Sequence, residues 1–159
     1  TEILKVIAER HLTISDRVLE DQPFDLVIST HVCRGNYHST WAARGGYLPI
    51  APLLFAREKV HTLYLEFDDE RSGGFAPLRY VSPDKTVVLG LVTTKRPDLE
   101  DPERIRERIK EAAQYVPLSR LSLSPQCGFA STEIGNKLTE EDQWKKIALV
   151  RDIAQTVWG

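Results

Sequence analysis

An α/β fold with a parallel sheet is what this sequence predicts, and three observations point to it. Four short apolar runs, residues 24–32, 60–67, 86–94 and 118–125, recur at intervals of roughly 26 to 36 residues. Most gaps between them carry a helical period, and strands separated by helices imply parallel pairing through crossovers. The polar residues best suited to chemistry fall at the carboxyl ends of the runs, where parallel α/β folds gather their functional groups.

From Thr1 to about Glu20, Ile3, Leu4, Ile7, Ala8, Leu12, Val18 and Leu19 recur near the helical period and predict an amphipathic helix, with Ile14 the poorest fit. DQP ends it. The following FDLVISTHV is too short for a helix and lacks strict alternation, which suits a strand buried on both faces. VHTLYLEF and TVVLGLVTT supply the second and third strands and LSRLSLSP the fourth, while no clear helix shows between Asp68 and Lys85. In residues 101–116, Asp101 caps, Pro102 takes the first helical position, and Ile105, Ile109, Ala112 and Val116 form one apolar face. In residues 139–158, Thr139 is the cap with Asp142 three residues on, and Ile147, Val150, Ala154 and Val157 lie on one side. Four such units are half of a (β/α)8 barrel, a fold of about 250 residues. The chain therefore fits either a small complete sheet or the latter half of a barrel, and its start on a helix favours the second. No low-complexity tract or linker divides it, so residues 1–159 are expected to form one domain.

Composition narrows the function classes. A chain of 159 residues with 42% hydrophobic and 28% charged residues is ordinary for a folded domain. Its 21 basic and 23 acidic residues are scattered and give a net charge of -2, so there is no basic stripe to attract nucleic acid. No apolar run approaches the roughly 20 residues that cross a bilayer, and TEILKVIAER lacks the layout of a secretory signal. The expectation is a cytoplasmic protein with no membrane partner. There the two cysteines, Cys33 and Cys127, stay reduced and point to metal binding or catalysis, with inert buried thiols as the alternative.

His31 and Cys33 end the first strand, and a spacing of two puts both side chains on one face. Glu66 ends the second strand and Cys127 follows the fourth, in SPQCGF. Two thiolates, an imidazole and a carboxylate suit tetrahedral Zn²⁺, whereas an iron–sulfur cluster would use four cysteines. The competing reading makes His31 a satisfied core histidine, pairs Glu66 with Arg71, and leaves the thiols as filler. In EFDDERSGG, Asp68 could orient Glu66 or a substrate, or belong to a solvated turn. His38 and Trp41 follow the His–Cys pair closely enough to line the same mouth; His11 and His61 read as structural or exposed. The RGG and SGG stretches lack a phosphate fingerprint, no GxSxG elbow occurs, and His31 beside Cys33 on one strand face does not make a thiol protease.

THVCRGNYHSTWAARGGY, LYLEFDDERSGGFAPL, VVLGLVTTK and LSLSPQCGFAST together resemble the carboxyl-terminal catalytic barrel of cobalamin-independent methionine synthase, and more closely its shorter single-barrel bacterial relatives. The similarity spans nearly the whole chain, with motifs matching in order and strand placement. It implies a TIM barrel of which this chain is about the second half, with zinc held by His31, Cys33, Glu66 and Cys127. It also implies methyl transfer from a methylated folate-type donor to homocysteine, giving methionine, with zinc keeping the acceptor thiol deprotonated. Glu66, the one oxygen ligand, would then be the catalytic group that yields as the thiol binds. A related alkyl transfer to another thiol such as coenzyme M, or a non-catalytic barrel module, stays open. Two departures stand out. The full-length synthase carries a histidine on its third strand where this sequence has VTTK, Val92 to Lys95. Much of the family's pocket comes from the first barrel half, so a missing half or a second chain is the expected partner.

Overall fold

The computed structural model describes residues 2–159, in which four strands form one sheet of order β1-β2-β3-β4: Ser29–Val32, Thr62–Glu66, Thr86–Val92 and Leu121–Pro125. All three pairings are parallel. The helices are α1 (Glu2–Val18), α2 (Ala51–Arg57), α3 (Pro102–Ala112) and α4 (Glu140–Trp158). The expected helix start at Thr1 lies outside the described residues.

The two central strands are the most deeply buried, since each has a neighbour on both sides. β3 is buried along nearly its whole length, as a continuous apolar run without alternation predicts. Leu63, Leu65, Val87, Leu89 and Leu91 pack with Phe55 of α2, Ile105 and Ile109 of α3, and Ile153 of α4. Phe55, Tyr47, Phe67 and Phe75 continue this core as a chain of rings, in that order, with centroids 5.6, 5.3 and 4.8 Å apart.

Gly90 decides how β4 approaches. It pairs in register with Glu66 on one side and Ser124 on the other. A Cβ there would lie 2.9 Å from the Leu65 carbonyl oxygen and 2.9 Å from Gln126 Cα. The register with β4 then shifts between Gly90 and Val92, which lets the chain after β4 fold in behind Glu66.

Several expectations need correction. β1 covers only Ser29–Val32, and its burial alternates between exposed and half-buried, unlike a strand covered on both faces. Among the described residues nothing pairs with its outer edge, so Phe24, Leu26 and Val27 stay in solvent. α1 forms and ends at Val18, but only Leu12 of its apolar face is buried. Periodicity missed α2, a seven-residue helix with proline in its first turn and Ala51 and Phe55 turned inward. The gap before β3 has no α-helix and holds two 3-10 turns, Glu70–Ser72 and Ala76–Tyr80. Leu118–Arg120 is a 3-10 turn and not part of the fourth strand. The capping box of Thr139 and Asp142 is present. However, the face α4 buries is centred on Lys146 and Ile153, because Lys146 finds a partner inside, while Ile147 is exposed.

Candidate metal centre

The carboxyl ends of three strands bring the four expected ligands together. One ligand atom from each of His31, Cys33, Glu66 and Cys127 lies within 4.8 Å of every other. Glu66 is the fixed point, with 0% of its surface exposed. Its Oε1 stands 3.5 Å from His31 Nε2 and accepts from Gln126 Nε2 at 3.4 Å. Its Oε2 accepts the Arg34 backbone N–H at 3.2 Å and faces Arg71 Nη2 at 3.6 Å. Cys33 is exposed and accepts the Gly35 N–H at 3.3 Å. Cys127 Sγ lies 3.8 Å from Ser131 Oγ.

Tyr47 ties the ends of β1 and β2 beneath this cluster. Its hydroxyl oxygen accepts the Glu66 N–H at 2.9 Å, and its proton faces the carbonyls of Glu66 at 3.3 Å and Val32 at 3.4 Å. Arg34 stacks its guanidinium 4.1 Å from the Tyr47 ring centroid and donates to the carbonyls of Gly45 and Arg71. The loop after β1 reverses at Gly35, with φ of 93° and the Ala42 nitrogen 2.6 Å from where a Cβ would sit, so only glycine fits.

The electrostatics follow from clustering three acidic groups. Hydrogen bonds to Cys127 and then Glu66, against burial, hold the His31 imidazole protonated up to about 10. Burial pushes the Cys127 thiol up, yet hydrogen bonds from His31, Ser131 and the Gly128 backbone bring it down to about 7. Burial also opposes ionisation of Glu66, and the bonds from His31 and Gln126 outweigh it and lower its carboxyl. The centre thus concentrates negative charge. A cation bound here displaces protons from these groups, so its affinity rises with pH.

The donor set fits a metal ion. Tetrahedral bonds of about 2.0–2.3 Å set ligand atoms roughly 3.3–3.8 Å apart, within reach of the spread found here by small side-chain rotations. Glu66 and Cys127 also have the outer partners that fix ligand orientation.

The weaker site candidates divide. Asp68 belongs to the centre's surroundings: it is buried, bonded to Arg71 Nη2 at 3.0 Å, and its Oδ2 has no partner. Trp41 is partly exposed beside Arg71, whose guanidinium is 5.6 Å from its ring centroid. His38, at φ of 44°, bonds through Nδ1 to the Gly135 carbonyl at 3.3 Å and so joins two rim loops. His11 is exposed, and His61 Nδ1 accepts the Ile28 N–H at 3.1 Å, as a structural role requires. The VTTK stretch closes the far side. Thr94 donates its N–H and hydroxyl to Gln126 Oε1 at 3.1 and 2.9 Å, and Lys95 Nζ reaches Asn36 Oδ1 at 2.9 Å. Asn36 in turn donates to the Gly128 carbonyl and Ser131 Oγ. Gln126, Tyr47, Arg34 and Asn36 escaped sequence reasoning. For Gln126 a signal existed: a long amide at the end of a buried strand, next to a cysteine, has to find partners.

The family profile described as "Cobalamin-independent synthase, Catalytic domain" matches residues 22–155. The chain belongs to this family. Two proteins of Bacillus subtilis (strain 168), YxjG and YxjH, are 54% and 55% identical to it over 147 residues. Those matches take in 92% of this chain and 39% of each relative. The crystal structure of a putative vitamin-B12 independent methionine synthase from Listeria monocytogenes superposes with a TM-score of 0.75 at 40% identity, over 96% of this chain and 41% of that one. A B12-independent methionine synthase from Shewanella sp. W3-18-1, solved in complex with selenomethionine, shares the fold at a TM-score of 0.72 and 17% identity, over 92% and 42% of the two chains. The chain thus spans about two-fifths of the relatives' length, and its parallel four-stranded sheet with its helices corresponds to part of their TIM-barrel catalytic domain.

Proposed function

We propose that this chain carries the zinc centre of a methyltransferase that moves a methyl group from a methylated folate-type donor to homocysteine, giving methionine. The observation that carries the reading is the convergence of His31, Cys33, Glu66 and Cys127 within 4.8 Å in a chain of this family. Zinc held there supplies a Lewis acid that keeps a substrate thiol deprotonated near neutral pH.

The chain's own residues do the rest. Glu66 is the ligand proposed to yield as the thiol arrives. Its Oε2 already faces the Arg34 N–H and Arg71, so the carboxylate would keep partners away from the ion. His31, Cys33 and Cys127 would remain to hold the metal. Asp68, buried two residues beyond Glu66 with an unpartnered oxygen, would receive the ammonium group of an amino-acid thiol. Trp41 and His38 border that mouth. No imidazole stands at the end of β3; Thr94 is committed to Gln126, and in the loop that follows the ammonium of Lys95 would be the proton source. The rest of the barrel, on the same polypeptide or a second chain, would cover the free edge of β1 and the apolar side of α1 and build the donor pocket.

The test is metal analysis of protein purified under reducing conditions. About one zinc per chain is expected, lost in Cys127→Ser and on chelation. Absence of zinc from the unaltered protein sinks the proposal. Methyl transfer from methylfolate to homocysteine, measured with the barrel complete, then separates this reaction from transfer to another thiol such as coenzyme M. A zinc-loaded complete barrel that turns over no thiol would leave only a non-catalytic module.

A further inference from the structure

Beside the metal centre, behind Arg71, lies a cavity of about 1080 Å³ whose lining comes from the loops after β1, β2 and β3 and from α3. Five arginines line it: Arg44, Arg71, Arg96, Arg104 and Arg108. Two have work to do. Arg71 pairs with Asp68 and Asp69, and Arg108 donates to the Phe67 carbonyl and covers the Phe75 ring. Arg44, Arg96 and Arg104 make no hydrogen bond or ion pair among the described residues.

The carboxylates of the lining do not answer them. Glu100 is held by Lys146 and the Thr93 N–H, and Asp101 caps α3 by accepting the Glu103 N–H. Asp68 and Asp69 are taken by Arg71, which leaves Glu70 alone against three free guanidinium groups. Arg104 also sits where a cation is least welcome, third in α3 and four residues before Arg108. There it opposes both the helix dipole and its like-charged neighbour. Arg108 is pushed below its ordinary value, by burial first and then by Arg104, against the pull of Glu111. Arg71 closes the inner wall: it is 5% exposed, and its Nη1 and Nη2 are held by Asp69 and Asp68.

We infer that this cavity is a binding site for a multiply charged oxyanion, with Arg96, Arg104 and Arg44 gripping its oxygens and Trp41 flanking the entrance. Guanidinium forks match carboxylate and phosphate oxygens in pairs, and both groups share this chemistry. The site adjoins the metal centre through Arg71, whose Nη2 is 3.6 Å from Glu66 Oε2, and is separate from it. The inference stands whether or not the chain transfers methyl groups.

The experiment is calorimetric titration of the full chain at low ionic strength, with inorganic phosphate in one arm and the tricarboxylate tricarballylate in the other. Saturable one-to-one binding of at least one anion is expected, and the tighter one identifies the charged group the cavity takes. Binding should weaken about tenfold in Arg96→Gln/Arg104→Gln, the loss expected when charge-assisted hydrogen bonds go. It should be unchanged in Arg151→Gln, an exposed arginine of α4, and in Cys127→Ser, which separates the cavity from the metal centre. No saturable binding of either anion, full affinity in the double variant, an equal loss in Arg151→Gln, or abolition in Cys127→Ser would each overturn the inference.

Discussion

Gly90→Ala tests how the strand register builds the candidate metal centre. The added Cβ meets the Leu65 carbonyl oxygen and Gln126 Cα at 2.9 Å and the Pro125 carbonyl oxygen at 3.3 Å. All three are backbone atoms of neighbouring segments, so no side-chain rotation relieves the clash. Overpacking of this kind costs about 1–3 kcal/mol, and the entropy gained by removing a glycine from the unfolded chain returns less than about 1 kcal/mol. A net loss of about 2 kcal/mol corresponds to a fall of roughly 4–8 °C in Tm for a chain of this size. The cheapest relaxation moves Gln126 outward, which lengthens its 3.4 Å contact with Glu66 and its 3.1 Å bond from the Thr94 N–H. Retention of the proposed zinc against a chelator should therefore fall as well. Thermal melts and chelator competition on Gly90→Ala, with Gly74→Ala as the control that has nothing within 4 Å, make the measurement. An alanine variant that melts within about 1 °C of the unaltered protein would refute the claim that this register is sterically fixed.

Lys146→Met should lower stability by about 3 kcal/mol, because it strands the Glu100 carboxylate that Lys146 holds at 3.1 Å; adding Glu100→Gln should recover part of the loss in a denaturant titration. Glu58→Gln should have the opposite sign. Burial raises the Glu58 carboxyl, against the pull of Lys85, and its Oε2 has no partner. The folded state therefore holds that proton more tightly than the unfolded state. The stability it contributes is full below the ordinary carboxylate range, near about 4.3, and is lost as pH rises through the folded value. The glutamine variant should melt higher than the unaltered protein at pH 7 and equally at pH 4, and a variant no more stable at pH 7 would refute the assignment.

What the sequence disclosed and what it hid follow one physical division. Runs that bury both faces announce themselves, so the expected second and third strands, 60–67 and 86–94, overlap the observed β2 and β3 closely. The caps at Asp101 and Thr139 are local interactions and were legible for the same reason. The first strand read too long because Phe24 to Val27 are apolar but have nothing to pack on among the described residues. Lys146 disguised the true face of α4, since a periodicity argument counts lysine as solvent-facing whatever it bonds to. At the candidate metal centre, the convergence of His31, Cys33, Glu66 and Cys127 was readable from strand ends. Gln126, Tyr47, Arg34 and Asn36 were not, because their roles rest on hydrogen bonds between segments that only the fold brings together.

The two readings of Glu66 do not exclude each other. One made it a metal ligand, the other an ion-pair partner of Arg71, as though each excluded the other. Its two oxygens separate the roles: Oε1 faces His31 and Gln126, and Oε2 faces the Arg34 N–H and Arg71. A fully buried carboxylate is costly unless every lone pair is met, and this one is met from both sides. Arg71 also holds Asp68 and Asp69, so it carries the charge balance of the metal centre into the loop that walls the arginine cavity. Replacing it would leave Glu66 and Asp68 as adjacent buried anions with one cation fewer. The ion pair is thus a condition for holding a carboxylate at this depth, and it is compatible with Glu66 acting as a metal ligand through Oε1.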